Sequence, residues 1–213
     1  MNNTKIYWDS FCNSLAMSKE VTDSLFKKIT LQYASPIRYY HTLDGHITAC
    51  IREFTALRDL AKNPIVVEAA LWMHDAFYEK ENRTNEVDSA RWATKFFKQA
   101  NVILNFEQLE RLIMMTKNHH PGNDADAQIV SDCDLAILGN SKLQFDAYES
   151  NIRKEYLWVP EAIYRKKRAE LLNEFLARPK IYRTELFYKK YEKRARVNLK
   201  RSIARLIYDK PLT

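Results

Sequence analysis

A histidine and an aspartate lie side by side in the most apolar stretch of this 213-residue chain. The stretch covers residues 70–78 and reads ALWMHDAFY, with His74 and Asp75 at its centre. An ionised carboxylate there is costly unless a cation or hydrogen bonds compensate its charge. If the stretch is helical, neighbouring side chains lie about 100° apart around the axis and can converge on one ion. A buried His–Asp hydrogen bond, or a helix that ends before the pair, are the alternatives.

The other histidines and a second acidic group strengthen the metal interpretation. His41 and His46 flank the start of a predicted helix, and His119 and His120 end another. The segment Asp132-Cys133-Asp134 precedes an apolar run at 135–138. Imidazole with carboxylate, and without thiolate, is the ligand set of a hydrolytic divalent ion: Mn, Fe, Zn or Ni, or Mg where carboxylate and water dominate.

The composition predicts an all-α protein. Only three glycines occur, which excludes a Walker loop and a dinucleotide-binding fold and is too few for a sheet protein with many tight turns. The cysteines Cys12, Cys50 and Cys133 have no metal-like spacing, and the N-terminus has no signal-peptide pattern. We therefore expect reduced thiols in a cytoplasmic protein. No apolar run approaches the roughly 20 residues that cross a bilayer, so no membrane partner is expected.

The net charge of +7 is unevenly distributed along the chain. Residues 151–213 carry 18 Lys and Arg against 7 Asp and Glu, which leaves residues 1–150 with 16 bases against 20 acids. Such a basic segment can contact nucleic acid, an acidic membrane surface or an anionic substrate. Its bases alternate with apolar residues at helical spacing, which favours a solvated helix face and makes nucleic acid an unlikely partner.

We find no linker or repeat and predict a single compact domain over residues 1–213. A metal-binding core would cover about 36–140, with basic C-terminal helices at about 141–208 packed on it. Asn63 is predicted to cap a helix that has Pro64 in its first turn, and Gly139 to form a C-cap. Helices are predicted at 3–16, 19–34, 42–62, 64–79, 85–100 and 105–119, then a polar loop at 123–128, a short helix up to 139, and three or four more helices punctuated by Pro160 and Pro179.

The order His46, His74-Asp75 and a later Asp resembles the HD superfamily of metal-dependent phosphohydrolases. These are all-helical domains whose signature is one His, an adjacent His-Asp pair and a distal Asp. Further stretches, over about residues 36–200, resemble a predicted phosphohydrolase subfamily: RYYH at 38–41, ALWMHDAFY at 70–78, NEVDSA at 85–90, TKNH at 116–119, DCDLAILG at 132–139, IRKEY at 152–156 and EKRARVNL at 192–199.

The resemblance implies a metal bound by His46, His74, Asp75 and a distal Asp. Asp134 matches the usual second Asp of the motif. The apolar spacing after it is one residue short, so Asp132 remains an alternative, and the other Asp would accept a hydrogen bond near the ligands or cap the helix. His119 and His120 are adjacent rather than separated, unlike the binuclear members, which favours one divalent ion (Mn, Fe, Mg, Zn or Ni).

The implied activity is hydrolysis of a small phosphorylated metabolite or nucleotide by a metal-activated water, as phosphatase, phosphodiesterase or nucleotidase/pyrophosphatase. His119, His41 and Arg38 would stabilise charge on the phosphate, and Arg153 would line the pocket. The alternatives are a bracing role for His41, a surface ion pair for Arg38, and buried ion pairs for Arg153 and for Arg194 with Arg196.

Two rival functions remain, and neither belongs to the phosphohydrolase class. One is a nucleic-acid-binding protein that uses the basic C-terminal helices, and the other is an HD-type scaffold without catalysis. The sequence also leaves a homodimer open.

Overall fold

The computed structural model describes residues 3–79 and 84–208, in which ten α-helices and no strand occur, so the all-α prediction is confirmed. Two compact units are separable, Met1–Asp134 and Leu135–Thr213. The single-domain arrangement stays a prediction. The helices are α1 (Asn3–Ser14), α2 (Lys19–Tyr33), α3 (Thr48–Phe54), α4 (Pro64–Met73), α5 (Asn85–Gln99), α6 (Phe106–Met115), α7 (Ala125–Leu135), α8 (Lys142–Glu155), α9 (Glu161–Ala177) and α10 (Glu185–Tyr208).

Helix α4 lies in the centre of the first unit, with every residue from Val66 to Met73 buried. Trp72 meets Trp8 of α1 edge to face with ring centroids 5.2 Å apart. The indole of Trp8 donates to the carbonyl of Thr22 at 3.1 Å, which ties α1 to α2. A helix that is apolar all round is stable only when other helices surround it, as the sequence predicted.

The predicted helix at 42–62 is interrupted. A π-helical turn, Leu43–Ile47, precedes α3, which ends at Phe54, and a 3₁₀ turn follows at Arg58–Leu60. The amide of Ile47 donates to the carbonyl of Thr42, five residues back, and the wider turn carries His46. The hydroxyl of Thr55 donates to the carbonyl of Arg52, a local bond that competes with continuation of the helix.

Helix α4 ends at Met73, six residues before the predicted end at 79. Two side chains of α2 donate to carbonyls at this end: Tyr33 Oη to Trp72 O, in the last turn of α4, at 2.9 Å, and Gln32 Nε2 to Ala76 O, three residues beyond Met73, at 3.0 Å. His74 and Asp75 therefore follow the helix rather than lying within it. The structure thus has the helix ending before the pair, which was one of the alternatives for this stretch.

Of the two predicted helix caps, Asn63 is confirmed in position and Gly139 is wrong. Asn63 occupies the N-cap of α4 with Pro64 in the first turn, but its side chain makes no cap hydrogen bond, and the carboxylate of Asp126 accepts from the amides of Lys62 and Asn63. Gly139 does not adopt the left-handed conformation expected of a C-cap glycine; among the described glycines, Gly122 is the one with positive φ. A Cβ at Gly139 would lie 2.5 Å from that of Tyr191, so glycine is required for close packing.

The polar segment 123–128 is not a loop. Helix α7 begins within it at Ala125, and Asp124 Oδ1 accepts from the amides of Asp126 and Ala127. Acidic residues are favoured at the first turn of a helix by its dipole and as N-caps, which explains why an acidic, polar segment begins a helix here. Asp132 is therefore inside a helix and fully buried, and it cannot be a helix cap. Helix α6 likewise ends at Met115, four residues before the predicted end at His119, whereas its predicted start at Asn105 is confirmed: Asn105 is the N-cap, and its side chain accepts from the amide of Gln108.

The second unit packs its arginines onto its own carboxylates and carbonyls. The Glu192 carboxylate accepts from the amides of Ile181 and Tyr182, and from Arg196 Nε at 2.8 Å. Arg194 Nε donates to Gly139 O at 2.9 Å, and Arg168 pairs with Glu149. Part of the positive charge that the sequence concentrates here is thus neutralised inside the unit. None of the helices in the described ranges is long and apolar enough to cross a membrane.

Candidate metal centre

Three segments of the first unit bring two imidazoles and two carboxylates to one point. His46 comes from the π-helical turn, His74 and Asp75 from the end of α4, and Asp134 from α7. His46 Nε2 lies 3.1 Å from His74 Nε2, 3.2 Å from Asp75 Oδ2 and 3.1 Å from Asp134 Oδ1. His74 Nε2 lies 3.2 Å from the same Asp75 oxygen and 3.7 Å from the same Asp134 oxygen.

These separations match what a single metal ion needs. Donor atoms about 2.1 Å from a common centre lie about 3.0 Å apart in octahedral and about 3.4 Å apart in tetrahedral geometry. Two Nε2 atoms facing each other at 3.1 Å repel if both carry lone pairs, so a proton or a metal ion must lie between them. The four residues therefore fit the divalent ion that the sequence predicts.

A hydrogen bond orients the imidazole of His74. Its Nδ1 donates to the carbonyl of Leu71 at 3.0 Å, which leaves Nε2 as the atom directed at the cluster. Metal-binding histidines are commonly held in this way through their other ring nitrogen.

Electrostatics within the cluster favour a bound cation. Burial by itself lowers the pKa of His74, but the carboxylates of Asp75 and Asp134 outweigh it and hold that pKa well above its usual value. The pKa of His46 is raised likewise. Burial raises the pKa of Asp134, but His74 and His119 hold it well below its usual value, and the pKa of Asp75 is also low. Two ionised carboxylates thus face the imidazoles, an arrangement that a proton or a metal ion stabilises.

The geometry favours Asp134 over Asp132 as the fourth ligand. Asp134 Oδ1 faces His46, and its side chain retains 13% exposure. Asp132 is fully buried two residues earlier on α7 and belongs to neither cluster of metal-binding groups found among the described residues. The ligand roles of both remain predictions.

His119 contacts the cluster through Asp134. Its Nε2 lies 2.8 Å from Asp134 Oδ2, and its backbone adopts φ +52°, a left-handed conformation that is costly for a residue other than glycine. The turn after α6 thus places His119 beside Asp134, and its contact with a phosphate remains a prediction. His120 is exposed.

His41 lies beside the cluster, half-buried between aromatic rings. It stacks on Tyr78 with ring centroids 4.5 Å apart and meets His46 edge to face at 5.6 Å. The ring of Tyr40 lies 4.7 Å from that of His46. His41 is therefore held by stacking, close to the ligands, and its contact with a phosphate remains a prediction.

Arg38 is buried, so the surface ion pair considered for it is wrong. Its Nη1 donates to the carbonyls of His41 and Asp75 at 2.9 and 2.8 Å, and its Nη2 to Ala76 O at 2.9 Å. The guanidinium also lies over the ring of Tyr33 at 4.8 Å. It links the His41 segment to the turn that carries Asp75, and a phosphate contact remains a prediction.

Arg153 belongs to the second unit and is engaged there. Its Nε donates to Glu161 at 2.8 Å and its Nη1 to Tyr156 O at 2.6 Å, at the end of α8. The sequence offered a buried ion pair as the alternative for Arg153, and the pair with Glu161 is partly exposed instead. A pocket-lining role remains a prediction.

Cys50 is the residue of the centre that the sequence interpretation missed. Its Sγ lies 3.7 Å from His46 Nδ1 and 3.9 Å from His46 Nε2, and one cluster of metal-binding groups comprises His46, Cys50 and Asp134. The signal was its position four residues after His46, about one helical turn.

Comparisons of the chain with protein-family models, curated proteins and solved structures found no match.

Proposed function

We propose that the chain is a metal-dependent phosphohydrolase of HD type that acts on a small phosphorylated metabolite or nucleotide. One observation carries the proposal: His46 Nε2 lies within 3.2 Å of donor atoms from His74, Asp75 and Asp134. These donors come from segments far apart in sequence, and their oxygen and nitrogen chemistry suits hydrolytic divalent ions.

The ion would lower the pKa of water and act as a Lewis acid on a phosphoryl oxygen. His46, His74, Asp75 and Asp134 would hold it. His119, bonded to the outer oxygen of Asp134, would orient that carboxylate and offer a proton donor beside the phosphate. His41, stacked on Tyr78, would contribute a second imidazole at the rim, and Arg38 would fix the backbone of Asp75 through its carbonyl.

The test combines metal analysis with a substrate panel. Freshly purified protein should contain about one divalent ion per chain. Chelation should remove the activity against one class of nucleotides or sugar phosphates, and Mn, Fe, Mg, Zn or Ni should restore it. His74→Ala should lose both metal and activity, because a ligand is gone and Asp75 keeps only one of its two imidazole partners, His46. His120→Ala, an exposed histidine of the same unit, is the matched control and should lose neither.

The rival functions make different predictions in the same experiment. No metal in the purified protein and no uptake of added ions would overturn the proposal. Stoichiometric metal without hydrolysis of any panel member would favour a silent scaffold. Binding of nucleic acid that falls steeply with salt and is unaffected by chelation would favour the nucleic-acid-binding alternative.

A further inference from the structure

We infer that a groove between helices α2 and α5 is a second binding site, which takes a nucleoside phosphate outside the metal centre. The groove has a volume of about 400 Å³, within the roughly 300–1,000 Å³ of small-molecule sites. It lies in the first unit. Its wall includes Lys28, Leu31 and Gln32 of α2, and Trp92, Lys95 and Phe96 of α5.

The groove carries two lysines and no counter-charge. Lys28 and Lys95 line it from different helices, and none of the described residues in its wall is acidic. The two helix segments have the same bias: residues 27–33 and 89–99 together hold five bases and no acid, although acids outnumber bases over residues 1–150. Like charges that share a groove repel each other, and an anion bound between them removes that repulsion. The groove therefore favours an anionic ligand.

A neighbouring depression adds two further cations. It shares Lys95 with the groove and is also lined by Arg91 and Lys98, both of which are exposed. The lining includes one acid, Glu110, whose carboxylate accepts a hydrogen bond from Thr94 Oγ1 at 2.6 Å. A terminal phosphate carries about −1.5 to −2 charges at pH 7, so the groove lysines balance one phosphate group and the adjoining pair can balance a second.

The groove also has an apolar and aromatic wall, which a site for a simple anion does not need. Leu31 is 76% exposed, and Trp92 is half-buried. The indole of Trp92 packs on Phe96 with ring centroids 4.8 Å apart, and Phe96 meets Trp8 of the core edge to face at 6.2 Å. The core thus fixes the indole before a ligand binds, and a planar base can stack on it. Lysines beside a fixed indole suit a phosphate joined to a base.

The groove is separate from the proposed metal centre. Gln32 Nε2 donates to the carbonyl of Ala76 at 3.0 Å, which is the nearest that its wall comes to Asp75 in the chain. None of the residues in the described clusters of metal-binding groups lines the groove. The inference therefore concerns a second ligand and does not rest on the proposed function.

The experiment is isothermal titration calorimetry of the metal-free protein, after removal of the chelator, with ADP, pyrophosphate and adenosine as probes. ADP should bind more tightly than either of the others, because only ADP uses both the lysines and the indole. Its binding should weaken as salt is added, because exposed charges are screened.

Variants locate the site. Lys28→Gln and Lys95→Gln should each weaken ADP binding about 2–5-fold, and the double variant about 4–25-fold. Lys27→Gln is the matched control, an exposed lysine next to Lys28 that does not line the groove, and it should change the affinity less than about 2-fold. Trp92→Leu should weaken ADP binding about 5-fold or more and leave pyrophosphate binding unchanged, whereas Trp92→Phe should retain most of it.

Absence of ADP binding would overturn the inference, and so would ADP binding that survives both the double lysine variant and Trp92→Leu. Pyrophosphate that binds as tightly as ADP would reduce the groove to a simple anion site. Tighter binding of single-stranded oligo(dT) than of ADP would make this face a nucleic-acid surface instead. Each of these results leaves the proposed function intact, because metal content and hydrolysis are measured separately. Failure of the wild type to bind metal would overturn the proposed function alone.

Discussion

Replacing Arg38 with Met should destabilise the first unit substantially, because Arg38 donates to three main-chain carbonyls from a buried position. The carbonyl of Ala76 would keep a second donor, Gln32 Nε2, whereas those of His41 and Asp75 would lose the guanidinium. A buried polar group left unpaired costs about 1–3 kcal/mol, or about 2–6 kcal/mol for two. Methionine also removes the buried Nε, which has no hydrogen-bond partner, so we expect the lower part of that range, about 2–4 kcal/mol.

The assay is urea unfolding of the metal-free protein. Arg52→Met is the matched control, since Arg52 lies on α3 of the same unit with its side chain 56% exposed, and it should change the unfolding free energy by less than about 0.5 kcal/mol. Metal affinity should fall in Arg38→Met as well, because the released carbonyl belongs to Asp75.

The same variant separates two roles for this arginine. A phosphate clamp would raise KM for the substrate and leave unfolding and metal affinity nearly unchanged. If Arg38→Met unfolds like the wild type to within about 0.5 kcal/mol, the positioning argument is refuted and the clamp becomes the better explanation.

Asp134→Asn should empty the metal site in elemental analysis, whereas Asp132→Asn should retain the ion and lose about 10–100-fold in activity; the reverse pattern would exchange their roles. Metal binding should release protons and strengthen as the pH rises above about 6.5, because the raised pKa of His74 keeps the metal-free imidazole protonated to higher pH. Calorimetry in buffers of different ionisation enthalpy measures the number of protons released. Equal binding heats in all the buffers would contradict this prediction. Gly139→Ala should cost about 1–3 kcal/mol in urea unfolding, because the new Cβ would meet Tyr191; an unchanged midpoint would show that α10 can shift.

The parts of the fold that follow local rules could be predicted from the sequence. The apolar run of α4 predicted a buried helix, and the start of α6 at Asn105 was predicted correctly. The end of α4 could not be predicted, because Tyr33 and Arg38, which donate to the carbonyls of Trp72 and Asp75, are distant in sequence. The start of α7 was missed because an aspartate such as Asp124 is common both in loops and at helix N-caps, so the residue type alone does not distinguish them.

The candidate site shows the same division. Residue types singled out the His74-Asp75 pair, and the resemblance to HD phosphohydrolases implied His46 and a distal Asp as further ligands; the structure brings donor atoms of His46, His74, Asp75 and Asp134 close together. The contact of Cys50 with the face of His46 was not predictable from cysteine spacing, because it depends on the orientation of a wider-than-α turn. For the same reason the choice between Asp132 and Asp134 stayed open: both lie on α7, and only three-dimensional packing directs one of them at His46.

The π-helical turn at Leu43–Ile47 closes with a hydrogen bond between residues five apart, so it holds one more residue than an α-helical turn. Removing one residue from it, for instance Gly45, would let the turn close with ordinary α-helical geometry and would displace His46 from the position that the wider turn gives it. The distance between His46 and His74 would then change although no ligand had been replaced. The integrity of the centre thus depends on the number of residues before α3 as much as on their identity, and a deletion here would be more damaging than most substitutions.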